Sequence, residues 1–182
     1  MKIIFLLLVI FLTSLVVADS GSPLADIPLK DIDGKPTSLK KYEGKVVLLV
    51  NVASQCGLTP QYTALQAIHA KFKDKGFTVV GVPCNDFGSQ EPGTNDEIKQ
   101  FCSAQYQVTF PLLDKIHVKG SAQHPLYAKL TGKDAAFPGD IKWNFGKFLL
   151  GRDGKVLKRF EPAITPDAPE VLSAIEAALG GK

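Results

Sequence analysis

The residues best suited to chemistry in this chain are three cysteines, Cys56, Cys84 and Cys102. An odd number of cysteines cannot all pair with one another, so at least one thiol is free, or one pair alternates between reduced and oxidised forms. The chain has no C-x-x-C pair, and neither the cysteines nor the three histidines have the spacing of metal ligands. We therefore expect thiol chemistry and neither a metal nor another cofactor.

Cys56 lies between two predicted elements that together favour a reactive thiolate. The apolar run 46–50 predicts a buried strand, and residues 59–73 predict an amphipathic helix. A turn from strand to helix lies near backbone N–H groups that the first helical turn leaves unpaired, and these groups favour an anion. We therefore expect a raised thiolate fraction at Cys56. The alternative is a buried structural cysteine at the end of a strand.

The segment after this helix completes a strand–helix–strand unit. Residues 77–83, FTVVGVP, are a second β-rich run, and the two strands of such a unit are expected to be parallel neighbours. Cys84 directly follows this run. Residues 94–97, TNDE, have the capping-box pattern that begins a helix, predicted here to end near Tyr106 with Cys102 on its apolar side.

The second half of the chain predicts two antiparallel strands and a closing helix. Residues 143–150 and 156–160 predict strands joined by a turn at Asp153-Gly154, and residues 168–179 predict a helix. Weaker patterns predict an edge strand at 24–29, a hairpin turn at 33–34, a helical turn at 38–42, an extended segment at 110–113 and a short helix at 125–130. This order is the thioredoxin arrangement, so we expect an α/β, thioredoxin-like fold with a central mixed sheet flanked by helices on both faces.

Composition indicates one ordinary globular domain behind a leader. Hydrophobic residues make up 45% of the chain, and the net charge of +3 comes from scattered lysines, which argues against a nucleic-acid partner. Lys2, the apolar run 3–12 and small residues up to Ala18 predict a signal peptide over 1–18. We prefer this to a transmembrane anchor because the run is short and interrupted. The expected product is an exported (periplasmic or secreted) domain over 19–182, without a membrane span.

Three segments, taken together, resemble the glutathione peroxidase family. They are NVASQCG at 51–57, PCNDFGSQEPG at 83–93 and WNFGKFL at 143–149, and the likeness extends over about residues 23–179. The resemblance implies that Cys56 is the peroxidatic residue, in the cysteine-dependent rather than the selenium-containing branch. It also implies that the partners of Cys56 are Gln90, Trp143 and Asn144.

The implied chemistry suits these residue types. A thiolate attacks the O–O bond of a hydroperoxide and becomes a sulfenic acid. The side-chain amides of Gln90 and Asn144 and the indole of Trp143 are uncharged N–H donors that can stabilise the thiolate and orient the peroxide. Taken singly, Gln90 and Asn144 fit loop and turn residues and Trp143 a core aromatic.

The family resemblance also bears on the other two cysteines. Cys102 matches the position of the resolving cysteine in the thioredoxin-using branch, where it forms a disulfide with the peroxidatic residue. If the two residues are distant in the reduced fold, the helix that carries Cys102 must unwind locally, because a disulfide needs Cα atoms within about 7 Å. The alternative is a buried helix cysteine. Cys84 is interpreted as a structural or backup thiol.

The choice of reductant remains open between a thioredoxin-like protein and glutathione. Only 17 residues separate Pro125 from Trp143, whereas the tetrameric glutathione-using branch has a longer insertion there, so we expect a monomer. Export removes the chain from cytosolic thioredoxin and requires an exported donor or a small thiol. Alternative functions are a peroxide sensor that passes a disulfide to a partner protein, a one-cysteine peroxidase using glutathione, a thiol–disulfide oxidoreductase, and a non-catalytic binding module.

Overall fold

The computed structural model describes residues 24–180, and these residues are arranged around a four-stranded mixed sheet. The sheet has the order β4-β3-β5-β6 and is formed by β3 (Val46–Val52), β4 (Phe77–Pro83), β5 (Lys147–Leu150) and β6 (Val156–Phe160). β3 is parallel to β4 and antiparallel to β5, which is antiparallel to β6. The predicted signal peptide, residues 1–18, lies outside the described residues.

Two hydrophobic layers cover the sheet, which explains why its central strands are apolar throughout. Alternate residues of β3 point to opposite layers, as Leu48 and Leu49 illustrate. One layer is completed by α1 (Gln61–Phe72), α2 (Asn95–Tyr106) and α4 (Pro169–Gly180). The other is completed by α3 (Pro125–Thr131) and a 3₁₀ turn (Leu39–Tyr42). The predicted parallel pair and the helices on both faces are therefore confirmed.

Several predicted elements have different bounds in the structure. The hairpin at 33–34 is present between β1 (Leu29–Lys30) and β2 (Pro36–Thr37), with Gly34 at φ +76°. The predicted strand at 24–29 is wrong except for its last residue, because residues 24–26 form a turn.

Among residues 24–180, no helix has the length and hydropathy that crossing a membrane requires.

The most consequential correction concerns residues 143–146. They were predicted to begin a strand, but the strand begins only at Lys147, and Phe145 has a φ of +67°, which no β-strand residue adopts. The Phe145 N–H donates to the Asn51 carbonyl at 2.6 Å, so the turn is held against the end of β3. This turn brings Trp143 and Asn144 to the C-terminal end of β3, where the Cys56 turn starts.

Candidate active site

Cys56 lies in the turn between β3 and α1, and local hydrogen bonds fix that turn. The Cys56 N–H donates to Thr59 Oγ1 at 2.9 Å, and the Thr59 hydroxyl donates onward to the Ala53 carbonyl at 2.9 Å. The side chain of Cys56 is only 8% exposed. Its sulfur accepts the Leu58 N–H at 3.4 Å. A backbone N–H directed at a sulfur is the kind of donor that favours a thiolate.

Gln90 belongs to the loop that follows β4, and two hydrogen bonds connect it to the rest of the site. Its main-chain carbonyl accepts the N–H of Gln55, the residue before Cys56, at 3.0 Å. Its side-chain Oε1 accepts Asn144 Nδ2 at 3.0 Å. The loop makes a tight turn just before Gln90, where Gly88 and Ser89 both have positive φ.

Trp143 and Asn144 occupy contrasting environments in the turn before β5. Asn144 is completely buried, whereas Trp143 is 40% exposed. The Trp143 ring packs against Phe87 of the Gln90 loop, with ring centroids 5.6 Å apart. The structure thus connects Gln90 with Asn144 directly, and connects Trp143 with the same loop through Phe87.

Two donors of this set, one on Gln90 and one on Trp143, remain available for a ligand. Within residues 24–180, neither Gln90 Nε2 nor the Trp143 indole N–H has a protein acceptor. A thiolate and two uncharged donors can polarise a peroxide without introducing a competing charge.

A groove of about 490 Å³ runs beside the Cys56 turn. Its lining is mixed in character and comes from the Cys56 turn, the Gln90 loop and α2, including Gln55, Glu91, Pro92, Ile98 and Phe101. Glu91 is buried there, and this burial raises the pKa of its carboxyl, although the interaction with Ser54 opposes the change. The groove offers both apolar and polar surface next to the reactive turn.

Comparison with known proteins matches this chain to one family. The glutathione peroxidase family matches residues 24–131. BtuE, a thioredoxin/glutathione peroxidase of Escherichia coli, is 48% identical over 172 residues, covering 83% of this chain and 94% of the relative. A hydroperoxy fatty acid reductase of Synechocystis is 49% identical over 172 residues, covering 89% of this chain and 99% of the relative. The chain belongs to the glutathione peroxidase family.

This family membership confirms the resemblance that the three segments carry, and the chain is an oxidoreductase of the peroxidase class. The predicted thioredoxin-like fold is confirmed as well. The crystal structure of Trgpx in its apo form superposes with a TM-score of 0.67 at 35% identity, covering 87% of this chain and 97% of that one.

Cys102 occupies a different environment from that of the candidate site around Cys56. It lies on α2 and is 1% exposed. Burial raises the pKa of its thiol to about 11, although the nearby Tyr62 hydroxyl opposes this. Cys102 lines a second groove of about 350 Å³ rather than the groove beside Cys56, and both residues are free thiols.

Two buried polar residues of the site were missed at the level of sequence. Asn51 is the last residue but one of β3, and Lys147 begins β5; both are completely buried. Lys147 Nζ donates to the Phe145 carbonyl at 2.7 Å and to the Pro162 carbonyl at 3.3 Å, and burial lowers its pKa to about 7. The signal for both was a polar residue inside or beside an apolar run, VVLLVNV and KFLL.

Proposed function

We propose that this peroxidase reduces hydrogen peroxide and organic or lipid hydroperoxides through a two-cysteine cycle. The Cys56 thiolate attacks one peroxide oxygen, the O–O bond breaks, and the departing hydroxide or alkoxide takes a proton and leaves as water or an alcohol. Cys56 is thereby oxidised to a sulfenic acid. The Cys102 thiol then attacks the Cys56 sulfur, water leaves, and a disulfide forms.

One observation supports Cys56 as the residue that attacks the peroxide. The Cys56 sulfur accepts a backbone N–H, while the loop carrying Gln90 is hydrogen-bonded both to Gln55 and to Asn144. In this role Gln90 and Trp143 stabilise the thiolate and the negative charge that develops on the leaving oxygen, and Asn144 acts through its hydrogen bond to Gln90. Trp143 contributes its indole N–H from a half-exposed position that a peroxide can reach.

We further propose a thioredoxin-like protein as the reductant. A dithiol protein can attack the disulfide and leave with a disulfide of its own, which restores the thiols of Cys56 and Cys102. The short connection between Pro125 and Trp143 supports a monomer with an open site. The relative in Escherichia coli carries thioredoxin in its name, and the relative in Synechocystis acts, by its name, on hydroperoxy fatty acids. The mixed polar and apolar groove is compatible with such organic hydroperoxides.

The test is a coupled assay in which thioredoxin and thioredoxin reductase consume NADPH when peroxide is reduced. Wild type should turn over, Cys56→Ser should be inactive, and Cys102→Ser should be oxidised once but fail to turn over with thioredoxin. Retained activity in Cys56→Ser would overturn the assignment of Cys56. Turnover of Cys102→Ser at the wild-type rate with thioredoxin, or with glutathione in its place, would favour a one-cysteine cycle.

Export after cleavage at Ala18 is part of the proposal and has its own test. The intact mass of the protein purified from its native host should correspond to a chain that begins at Asp19. A chain that retains residues 1–18 would contradict cleavage, and recovery from the cytosolic fraction would contradict export.

A further inference from the structure

Asn51 connects the Cys56 strand to the Trp143–Asn144 turn by hydrogen bonds from both its main chain and its side chain. Its carbonyl accepts the Phe145 N–H at 2.6 Å, and its N–H donates to the Gly146 carbonyl at 3.3 Å. Its side-chain Nδ2 donates to the Trp143 carbonyl at 3.2 Å and to Cys84 Sγ at 3.7 Å. Asn51 thus holds the Trp143–Asn144 turn in place and also contacts the buried thiol of Cys84.

The Cys84 thiol contacts Asn144 as well as Asn51. Cys84 Sγ lies 3.7 Å from Asn144 Oδ1, and both residues are completely buried. Burial raises the pKa of the Cys84 thiol to about 11, so the sulfur keeps its proton near neutral pH. A thiol has a single S–H, and the amide of Asn51 can only donate to the sulfur. In the structure the S–H accordingly donates to Asn144 Oδ1.

This direction of donation determines how the next two amides are oriented. With its Oδ1 toward the thiol, Asn144 presents Nδ2 to Gln90 Oε1, at 3.0 Å. Gln90 then has its carbonyl oxygen occupied and its Nε2 without a protein partner within the described residues. If the Asn144 amide were reversed, its oxygen would approach Gln90. Gln90 would then have to turn its own N–H groups inward to satisfy that oxygen.

We propose that Asn51 and Cys84 are positioning residues that orient the amides of Asn144 and Gln90, so that Gln90 offers N–H donors, and not a carbonyl oxygen, to the Cys56 sulfur and the peroxide. This inference deepens the proposed function and rests on it. It gives Cys84 a part in the peroxidase reaction that requires no oxidation of its own sulfur. A carbonyl oxygen in that place would repel the thiolate, whereas an amide N–H stabilises it.

The decisive comparison is between Cys84→Ser and Cys84→Ala. Serine and alanine are both smaller than cysteine, and alanine leaves the larger void because it has no γ atom, but only serine has a hydroxyl that can accept from Asn51 and donate to Asn144. Val80→Ala is the packing control, because Val80 is completely buried in β4, the strand that Cys84 directly follows, lies in the same hydrophobic layer as Cys84 and has no polar side-chain group.

Two readouts separate positioning from general loss of packing. The first is the bimolecular rate constant for oxidation of Cys56 by peroxide, measured by rapid quenching, alkylation of free thiols and mass spectrometry. We expect Cys84→Ala to be about five- to tenfold slower than wild type, as loss of one hydrogen bond allows. Cys84→Ser should stay within about threefold of wild type, since its hydroxyl replaces that bond. Val80→Ala should oxidise at the wild-type rate.

The second readout does not depend on catalysis. In ¹⁵N NMR spectra of the reduced protein, the side-chain amide signals of Asn144 and Gln90 should shift in Cys84→Ala and keep near-native positions in Cys84→Ser. Equal oxidation rates in all variants, or equal slowing in the serine and alanine variants, would overturn the inference while leaving the proposed function intact. A wild-type protein that does not react with peroxide would refute the proposed function itself, and the amide signals would still test the orientation.

Discussion

The capping box that begins α2 offers a way to test whether this helix must unwind before Cys102 can reach Cys56. Thr94 Oγ1 accepts the Glu97 N–H at 3.3 Å, and the Thr94 N–H donates to Glu97 Oε2 at 2.7 Å. Thr94→Ala removes the hydroxyl and leaves the hydrogen bond from the Thr94 N–H to Glu97 Oε2 in place. Loss of an N-cap hydroxyl of this kind costs a helix about 1 kcal/mol.

That cost converts directly into a rate. If α2 opens before the disulfide forms, the open state has already lost the cap, so Thr94→Ala destabilises the closed state alone. A change of about 1 kcal/mol then raises the opening equilibrium, and with it the rate of disulfide formation, about fivefold. The rate is measured by adding one equivalent of peroxide, quenching at intervals with an alkylating reagent and counting free thiols by mass spectrometry.

Ile175→Val provides the control for general instability. Ile175 is a buried residue of α4 in the same hydrophobic layer, and its truncation costs about 1 kcal/mol as well. We expect its rate of disulfide formation to equal that of wild type. A wild-type rate in Thr94→Ala, despite a measured loss of stability, would refute local unwinding. Equal acceleration in both variants would point instead to global unfolding.

Three further predictions concern the turn before β5 and Lys147, the first residue of that strand. Trp143→Phe should keep the ring contact with Phe87 but lose the indole donor, so peroxide attack should slow by about two- to tenfold, the worth of one hydrogen bond; an unchanged rate in a stopped-flow assay would remove the indole from the mechanism. Gly146→Ala would place a Cβ 3.0 Å from Asn51 Oδ1, and urea denaturation should show a loss of about 1–3 kcal/mol in unfolding free energy; wild-type stability would mean that Asn51 is free to shift. Burial lowers the pKa of Lys147 to about 7, so between pH 7 and 9 the unfolded state binds more protons than the folded state. As the pH rises over that range, wild type should therefore gain about 2 kcal/mol of unfolding free energy relative to Lys147→Met. A stability difference that does not change with pH would show that Lys147 keeps an ordinary pKa.

The regular elements could be predicted from the sequence because local pattern determines them. The runs that became β3 and β4 are apolar throughout, as strands buried on both faces must be. The TNDE pattern beginning at Thr94 placed the start of α2 to within a residue. The start of β5 could not be predicted in this way, since Phe145 is an apolar residue in a left-handed conformation and no local pattern signals that.

The candidate site was predictable only in part for a similar reason. Gln90 and Asn144 could be identified from the motifs, but their hydrogen bond joins residues 54 positions apart in sequence. Asn51 looked like one polar residue in a strand until the structure showed the Trp143 carbonyl and the Cys84 sulfur beside its amide. Contacts of this kind depend on tertiary packing, which strand periodicity does not encode.

The most direct test of the two-cysteine mechanism is peptide mass spectrometry of the protein after one equivalent of peroxide, with the remaining free thiols alkylated. The mechanism predicts a disulfide between Cys56 and Cys102 and an alkylated Cys84. Oxidation confined to Cys56, as a sulfenic acid or a mixed disulfide with a small thiol, would return Cys102 to a structural role. An alkylated Cys56 beside oxidised Cys84 or Cys102 would contradict the account at its centre.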